Sequence, residues 1–172
     1  MSDILFYTSR LRVRRFTPKD SSNFFLLNGD ELVMRYIRPV KTLEDSDALL
    51  QETLHYYSGS ANYGAFAIED IEQDKFAGLL MFKPTYPEPG SAEIGYAFIP
   101  SFWNKGYATE IVQGIVAYGK STCAIKNFIA KADPSNTASI RVLHKNGFIY
   151  KETLHLSDQM SAVYWKEIDG GV

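Results

Sequence analysis

The sequence predicts one α/β domain of the α+β kind, built on a mixed sheet. The sheet is twisted and mostly antiparallel, with one parallel strand–helix–strand crossover and helices on both faces. Three observations predict it. Short apolar runs alternate with period two and are bounded by Gly, Pro and Asp turns. Two helical stretches alternate with strand-like runs in the second half, so the order is strands, then strand–helix–strand, then helix and strands. The 172 residues are 45% hydrophobic and 14% aromatic, enough for one packed core. One domain spans residues 1–172, with its core over about 8–168.

Each element has a local reason. Leu11-Arg12-Val13-Arg14-Arg15-Phe16 alternates apolar and basic residues, as a half-buried strand does. Thr17-Pro18-Lys19-Asp20 opens a helix, with Thr17 as N-cap, Pro18 as first residue and Asp20 in the first turn. Gly29 stops it, and Asp30 caps a short second helix through Tyr36. Thr42-Leu43-Glu44-Asp45 is another capped start, with Leu43, Leu50, Leu54 and Tyr57 at helical spacing before Ser58-Gly59. Tyr63 to Glu69 and Phe76 to Lys83 read as an antiparallel pair across the turn Asp70 to Lys75. Pro84 to Gly90 is proline-rich and cannot be strand interior.

Ala92 to Ile99 is the next strand. After a glycine turn, Ala108 to Lys120 is a helix carrying Ala108, Ile111, Val112, Ile115 and Val116 on one stripe. Asn127 to Lys131 follows as a strand, parallel to the one before because a helix joins them. Asn136 caps a helix through Lys145, and Gly147 sits where a helix exits. Phe148 to Leu156 and Ala162 to Ile168 close the chain as a hairpin.

Composition excludes some classes of function. A formal net charge of −2 gives no basic excess for nucleic acid. Cys123 is the only cysteine, so neither an internal disulfide nor a cysteine-rich zinc site can form. A lone cysteine is more often a small buried apolar residue than a nucleophile. Met1 to Tyr7 lacks a basic region followed by an apolar one, and no apolar run reaches membrane-spanning length. A cytoplasmic protein without metal, nucleic-acid or membrane partner is expected, as a monomer or homodimer.

The chemistry starts at Trp103-Asn104-Lys105-Gly106-Tyr107-Ala108-Thr109. A strand, a tight turn and a helix start bring several free backbone N–H groups to one point, where the helix dipole adds positive charge. That arrangement suits a phosphate. It is neither a P-loop nor a dinucleotide fingerprint, because the required glycines and Gly-Lys-Ser/Thr are absent. An ordinary glycine turn is the alternative reading. One strand further on, Asn136-Thr137-Ala138-Ser139 opens a second helix at the same edge of the sheet. A ligand with a pyrophosphate at one helix and a polar arm near the other fits this spacing.

The run Ala92-Glu93-Ile94-Gly95-Tyr96, then Trp103 to Thr109, then Asn136 to Ser139 ending in Gly147-Phe148, resembles the acetyl-CoA core of the GNAT acetyltransferase superfamily. Arg10-Leu11-Arg12-Val13-Arg14 before Thr17 to Asp20 resembles its ribosomal-protein N-acetyltransferase branch, the RimJ/RimL type. The resemblance covers Thr8 to Lys166. It implies a sheet whose fourth and fifth strands splay apart around acetyl-CoA. The pantetheine arm would pair with the backbone near Phe98 and Ile99. The pyrophosphate would rest on the amides of Asn104, Lys105, Gly106, Tyr107, Ala108 and Thr109. Asn136 and Ser139 would lie beside pantetheine and thioester. Trp103 and Ala108 depart from the family pattern, which leaves Lys105 as a substitute side-chain contact. Leu143 stands where many relatives carry an acidic tyrosine.

The resemblance also implies direct transfer of acetyl to an amine. An α-amine of pKa about 7.7–8.0 is roughly one-tenth neutral at pH 7, whereas a lysine near 10.4 is about 0.04% neutral. An N-terminal substrate therefore needs only a weak base or a water relay. Glu93 is the candidate base, the alternatives being a solvent-facing strand residue or a sheet salt bridge. Ser139 is the candidate proton donor to the leaving thiolate, the alternative being a first-turn residue that bonds pantetheine or caps the helix. The oxyanion would meet a backbone N–H near Ile94 to Tyr96. Arg141 and Lys145 are candidates for the 3′-phosphate of CoA or plain solvated charges. His144 reads as a surface residue, and His55-Tyr56-Tyr57 as core more than pocket.

The acceptor is a protein N-terminal α-amine or a small amine such as a polyamine, amino acid or aminoglycoside. A non-catalytic acyl-CoA-binding module is the third reading. A slightly acidic chain suits a cationic acceptor, but a charge of −2 decides nothing.

Overall fold

Eight strands join in one open sheet in the computed structural model, which describes residues 3–59, 62–85, 89–156 and 159–168. They are β1 (Ile4–Tyr7), β2 (Leu11–Arg15), β3 (Gly64–Asp70), β4 (Lys75–Pro84), β5 (Ser91–Phe98), β6 (Asn127–Ala132), β7 (Ile149–Leu156) and β8 (Gln159–Glu167). Their spatial order is β1-β2-β3-β4-β5-β6-β8-β7. Only β5 and β6 run parallel; every other neighbouring pair is antiparallel. Part of the Pro84 to Gly90 linker, residues 86–88, lies outside the described residues.

Period-two alternation distributes the strand side chains between two cores. Phe66, Ile68, Leu80, Phe82 and Ile94 face Ile111, Val112 and Ile115 of α4 (Tyr107–Cys123). Leu143 of α5 (Thr137–Lys145) joins them. On the opposite face, Ala67 packs with Phe24 and Leu27 of α1 (Ser21–Asn28), Val33 and Met34 of α2 (Glu31–Met34) and Leu50 of α3 (Leu43–Tyr56). Helices thus cover both faces, as the sequence predicts.

The helix starts follow the capping residues. Asp30 accepts from the backbone N–H groups of Leu32 and Val33, and the Thr42 hydroxyl from Asp45 N at 3.1 Å. Asn136 Oδ1 accepts from Ser139 N at 3.1 Å, and Gly147 leaves α5 at φ 77°. Some expectations change. The second helix ends at Met34 rather than Tyr36, and Leu43 is exposed while Leu50 is buried.

Strand β1 is absent from the sequence reading, because four residues near a terminus carry too little periodicity. Its register against β2 runs from Ile4↔Arg14 to Tyr7↔Arg12. Phe6 stacks on Tyr118 of α4 with ring centroids 5.4 Å apart. Gly114 makes this approach possible: a Cβ there would sit 2.7 Å from Phe6 and Thr8 side-chain carbons.

The decisive feature is where β5 and β6 stop pairing. Their register covers only Ser91↔Asn127 to Ile94↔Ala130. Beyond it, Gly95 to Phe98 stay with β4, while Lys131 and Ala132 stay with β8. The two strands part, and an opening through the sheet begins after Ile94.

A buried charge network ties β2 to the first helix. Arg14 bonds both carboxylate oxygens of Asp20, at 2.8 and 2.7 Å, and also Glu69 at 2.7 Å. Thr17 donates to Asp20 from its N–H at 2.8 Å and its hydroxyl at 2.9 Å. Burial alone raises the Asp20 pKa. The bonds from Arg14, then Thr17, override it and bring it from 3.8 down to about 2. The folded value lies below the unfolded one, so this stabilisation is complete above the unfolded pKa. It is lost as pH falls towards 2.

Asp20→Asn leaves Arg14 underpaired and is expected to cost about 3 kcal/mol in urea unfolding at pH 7. The loss of stability that the wild type shows between pH 4 and pH 2 should shrink in the variant. Equal stability of both proteins at pH 7 would show that the network does not support the fold.

Candidate active site

The turn after β5 exposes amides because nothing caps the following helix. Pro100 to Phe102 form a short 3₁₀ turn, closed by Phe102 N donating to Ile99 O at 3.0 Å. Asn104 and Gly106 then take left-handed conformations at φ 59° and 82°. Such residues turn successive N–H groups inward to form an anion-binding concavity. Gly106 is the N-cap of α4 and supplies no side-chain hydrogen bond. The N–H groups of Tyr107, Ala108 and Thr109 lie in the first turn, where a helix has no internal acceptor. The positive end of the helix dipole lies at the same point.

This cradle is braced from behind. Arg10 donates from Nη1 to Lys105 O at 3.0 Å and from Nε to Glu110 Oε2 at 2.7 Å. Glu110 Oε1 accepts from Arg10 N at 2.8 Å and Thr8 Oγ1 at 2.6 Å. The Arg10 guanidinium lies 4.1 Å over the Tyr107 ring, whose hydroxyl donates to Asp70 Oδ2 at 2.5 Å. Burial raises the Asp70 pKa, but the Tyr107 bond and backbone N–H donors outweigh it, and the net direction is down. Tyr107 therefore points into the core, and its contribution to the cradle is its backbone. Lys105 turns away as well, donating from Nζ to Ser101 O at 2.9 Å, and it does not line the cleft.

Alternation along β5 decides which backbone groups face the opening. Ile99 N donates to Ala77 O of β4 at 3.0 Å, and Ile99 O accepts from Phe102. Ile99 therefore has neither group free for an added strand. Ile94 pairs with β6, so Tyr96 and Phe98, on the same alternation, direct their backbone groups to the opening. Phe98 O already accepts from Trp103 Nε1 at 2.7 Å. The available edge centres on Tyr96 and Phe98 rather than on Phe98 and Ile99.

Tyr96 is also a side chain that sequence reasoning missed. Its hydroxyl lies 3.1 Å from Ser139 Oγ, linking β5 to the first turn of α5 across the opening. Burial raises the Tyr96 pKa, and the Ser139 bond offsets this only in part. The phenol is thus held protonated at neutral pH. Its signal in the sequence was a polar tip in the stripe Ile94, Tyr96, Phe98. Leu143 is 1% exposed and belongs to the core.

Glu93 points to the opposite face, with α1 to α3. Its Oε2 accepts from Lys131 Nζ at 2.7 Å, so the cross-strand ion pair expected as the alternative is present. Both residues line a single cleft of about 1110 Å³. The cleft runs from the starts of α4 and α5, past Tyr96 and Ser139, to Leu32, Arg38 and Tyr56. Asn104, Gly106 to Thr109 and Asn136 line it, as do Arg141 and Lys145. His144 is exposed with its ring 5.4 Å from that of Tyr164, and neither it nor His55 lines the cleft. Tyr57 is a core anchor, accepting from Phe16 N at 3.1 Å and donating to Ala65 O. Burial pushes the Cys123 thiol pKa up, away from an activated thiolate, and Cys123 is not in the cleft. Among the described residues, no group of His, Cys, Asp and Glu is placed to hold a metal, and no helix is long and apolar enough to cross a membrane.

Residues 10–149 match the acetyltransferase (GNAT) domain family. The chain is 33% identical over 141 residues to the uncharacterized N-acetyltransferase YnaD of Bacillus subtilis, covering 81% of this chain and 79% of that one. Its fold is similar to a GNAT-family acetyltransferase from Bacillus anthracis, with a TM-score of 0.82, 27% identity and coverage of 94% and 96%. It is similar too to RimL, a ribosomal L7/L12 α-N-protein acetyltransferase solved with coenzyme A. There the TM-score is 0.82, identity 19% and coverage 98% and 99%, a likeness of fold alone.

Gly106→Ala places a Cβ at a left-handed position and is expected to cost about 1–2 kcal/mol of stability. It should also weaken CoA, measured by titration calorimetry, by about fivefold or more as the amides tilt. Unchanged CoA affinity in a folded variant would remove this turn from the binding site.

Proposed function

The chain belongs to the GNAT acetyltransferase family, and on that premise we propose that it transfers acetyl from acetyl-CoA directly to a primary amine, a protein N-terminal α-amine above all. The observation that carries this reading is the continuity of the cleft. The uncapped start of α4 communicates with the face of α1 to α3 through the opening between β5 and β6. A long substrate with phosphates at one end and a thioester at the other fits that path. The amides of Asn104 and of Gly106 to Thr109 would take the pyrophosphate, Tyr96 and Phe98 would pair with the pantetheine, and Asn136 and Ser139 would flank its end. Arg141 and Lys145, which line the cleft, would reach the remaining phosphate.

The chemistry then divides between the two faces. The amine approaches from the side of Glu93, and the thiolate departs on the side of Ser139. The Tyr96 N–H faces the opening and would donate to the carbonyl oxygen as charge develops there. Tyr96 Oη and Ser139 Oγ form a hydrogen-bonded pair beside the leaving sulfur. Either hydroxyl can pass it a proton, so the phenol supplies what Leu143 cannot. Glu93, its carboxylate bonded to Lys131 at 2.7 Å, would serve as the base. A weak base suits an α-amine, since roughly one-tenth of such an amine is neutral at pH 7.

The acceptor rim supports a chain-like substrate. Leu32, Ile37 and Tyr56 line the cleft yet are 61%, 41% and 45% exposed. Apolar side chains left in water around a cleft mouth suit a peptide trailing outward.

Acetyl-CoA at a hundred times its Kd is expected to raise stability by about 2.7 kcal/mol, read as a higher Tm. No shift at high ligand would exclude it as substrate. Thiol release should be fastest with N-terminal peptides in a panel that includes free lysine and spermidine; a clear preference for either small amine would overturn the peptide assignment. Ser139→Ala and Tyr96→Phe should each lower chemistry-limited kcat by about tenfold to a hundredfold. The double variant should lose less than the product of the two, because the pair acts as a unit. Two single variants with wild-type kcat would deny the pair its role.

A further inference from the structure

The acceptor half of the cleft is cationic, although the chain as a whole is slightly acidic. Among the described residues, Arg35, Arg38, Lys83 and Lys131 line it against Glu52, Glu93 and Asp133. Lys131 is neutralised by Glu93. Arg35 stacks over the Tyr36 ring at 5.2 Å, and neither Arg35 nor Arg38 has an ion-pair partner among the described residues.

Arg38 is held in place by a dedicated buried group. Its Nη2 donates to Asn28 Oδ1, and Asn28 is 1% exposed. The Asn28 amide donates in turn to Phe24 O at 2.8 Å, which fixes its orientation, and Asn28 O accepts from Lys41 N at 2.8 Å. A buried amide thus orients one edge of the guanidinium and leaves its other donors to the cleft. Partial burial lowers the Arg38 pKa, yet a guanidinium stays charged at any assay pH. A planar, oriented and unpaired guanidinium is the geometry that recognises an oxyanion.

We infer that the acceptor amine belongs to a molecule carrying an oxyanion, a carboxylate or a phosphate, which Arg38 with Arg35 engages. The inference rests on the transferase reading above and narrows its substrate class. The same charges disfavour polyamines, which would bring several cations into this lining. They also lower the pKa of a nearby amine and so increase its reactive neutral fraction.

The test uses pentapeptide amides with a free N-terminus and one Glu at the second, third or fourth position. Each has a Gln twin, a parallel set carries phosphoserine or serine, and spermidine is included. Thiol release is measured for the wild type and for Arg38→Gln, Arg38→Lys and Arg35→Gln. Tm and the KM for acetyl-CoA are recorded in every protein as controls on the fold. At least one acidic peptide should exceed its neutral twin by about tenfold in kcat/KM, through KM, as a charge-assisted hydrogen bond allows. The Glu and phosphoserine arms tell which oxyanion is preferred. In Arg38→Gln the acidic-to-neutral ratio should collapse towards one, with Arg38→Lys intermediate.

Ratios within twofold for every wild-type pair, or a ratio that survives both glutamine variants, would overturn the inference while leaving the transferase intact. Turnover of spermidine alone would likewise overturn the inference with the transferase intact, whereas if neither the peptides nor spermidine turn over, the transferase reading falls. Calorimetric binding of the same pairs to the CoA-bound protein then decides the oxyanion site alone: a preference for acidic peptides supports it, and equal binding refutes it.

Discussion

Everything at this site depends on two parallel strands ceasing to pair after Ile94. A parallel ladder satisfies backbone groups on both strands, so ending it early leaves polar groups exposed inside the sheet. The protein keeps each strand anchored on its outer side: β5 by β4, β6 by β8. Each strand therefore keeps a hydrogen-bonded neighbour across the separation, which leaves an edge at Tyr96 and Phe98. It also opens a passage between faces that a complete sheet would close. Ser139 lines the cleft on one side of it and Glu93 on the other.

The turn before α4 depends on a second set of contacts distant in sequence. An uncapped helix start with two left-handed residues carries strain and unsatisfied N–H groups. Arg10, Glu110, Thr8, Tyr107 and Asp70 hold it from the protein side, through bonds of 2.5 to 3.0 Å. The ligand side is left to the backbone. The two letters that depart from the family pattern, Trp103 and Ala108, are consistent with this division. Trp103 spends its indole N–H on Phe98 O, and Ala108 offers an amide with little side chain in the way. Lys105, the one cation in the turn, is bonded to Ser101 O.

Charge is distributed against the average. A net charge of −2 leans slightly towards a cationic acceptor and decides nothing. The cleft holds the opposite sign, because acidic residues elsewhere are spent on structural pairs such as Asp20 and Glu69 with Arg14. Among the described residues, Arg35 and Arg38 line the cleft without such partners. Local sign, not the total, governs what an amine experiences within a Debye length of its attack.

The sequence by itself determined the elements whose causes are local. Capping residues Thr42 and Asn136, the exit glycine Gly147 and the period of each apolar run placed the helices and most strands within a few residues. The motif from Glu93 through Thr109 to Ser139 also carried the family, since a turn and a helix start are properties of adjacent letters. Tertiary structure alone decided what depends on residues far apart. It paired Tyr96 with Ser139, 43 positions away, supplying a phenol that Leu143 could not. It joined Glu93 to Lys131, consumed the backbone of Ile99, and added β1 through packing against Gly114. It gathered Arg35, Arg38 and Asn28 at the acceptor end. Hydrogen bonds and charge pairs act over a few ångströms in space, and no spacing along the chain encodes which distant groups will come that close.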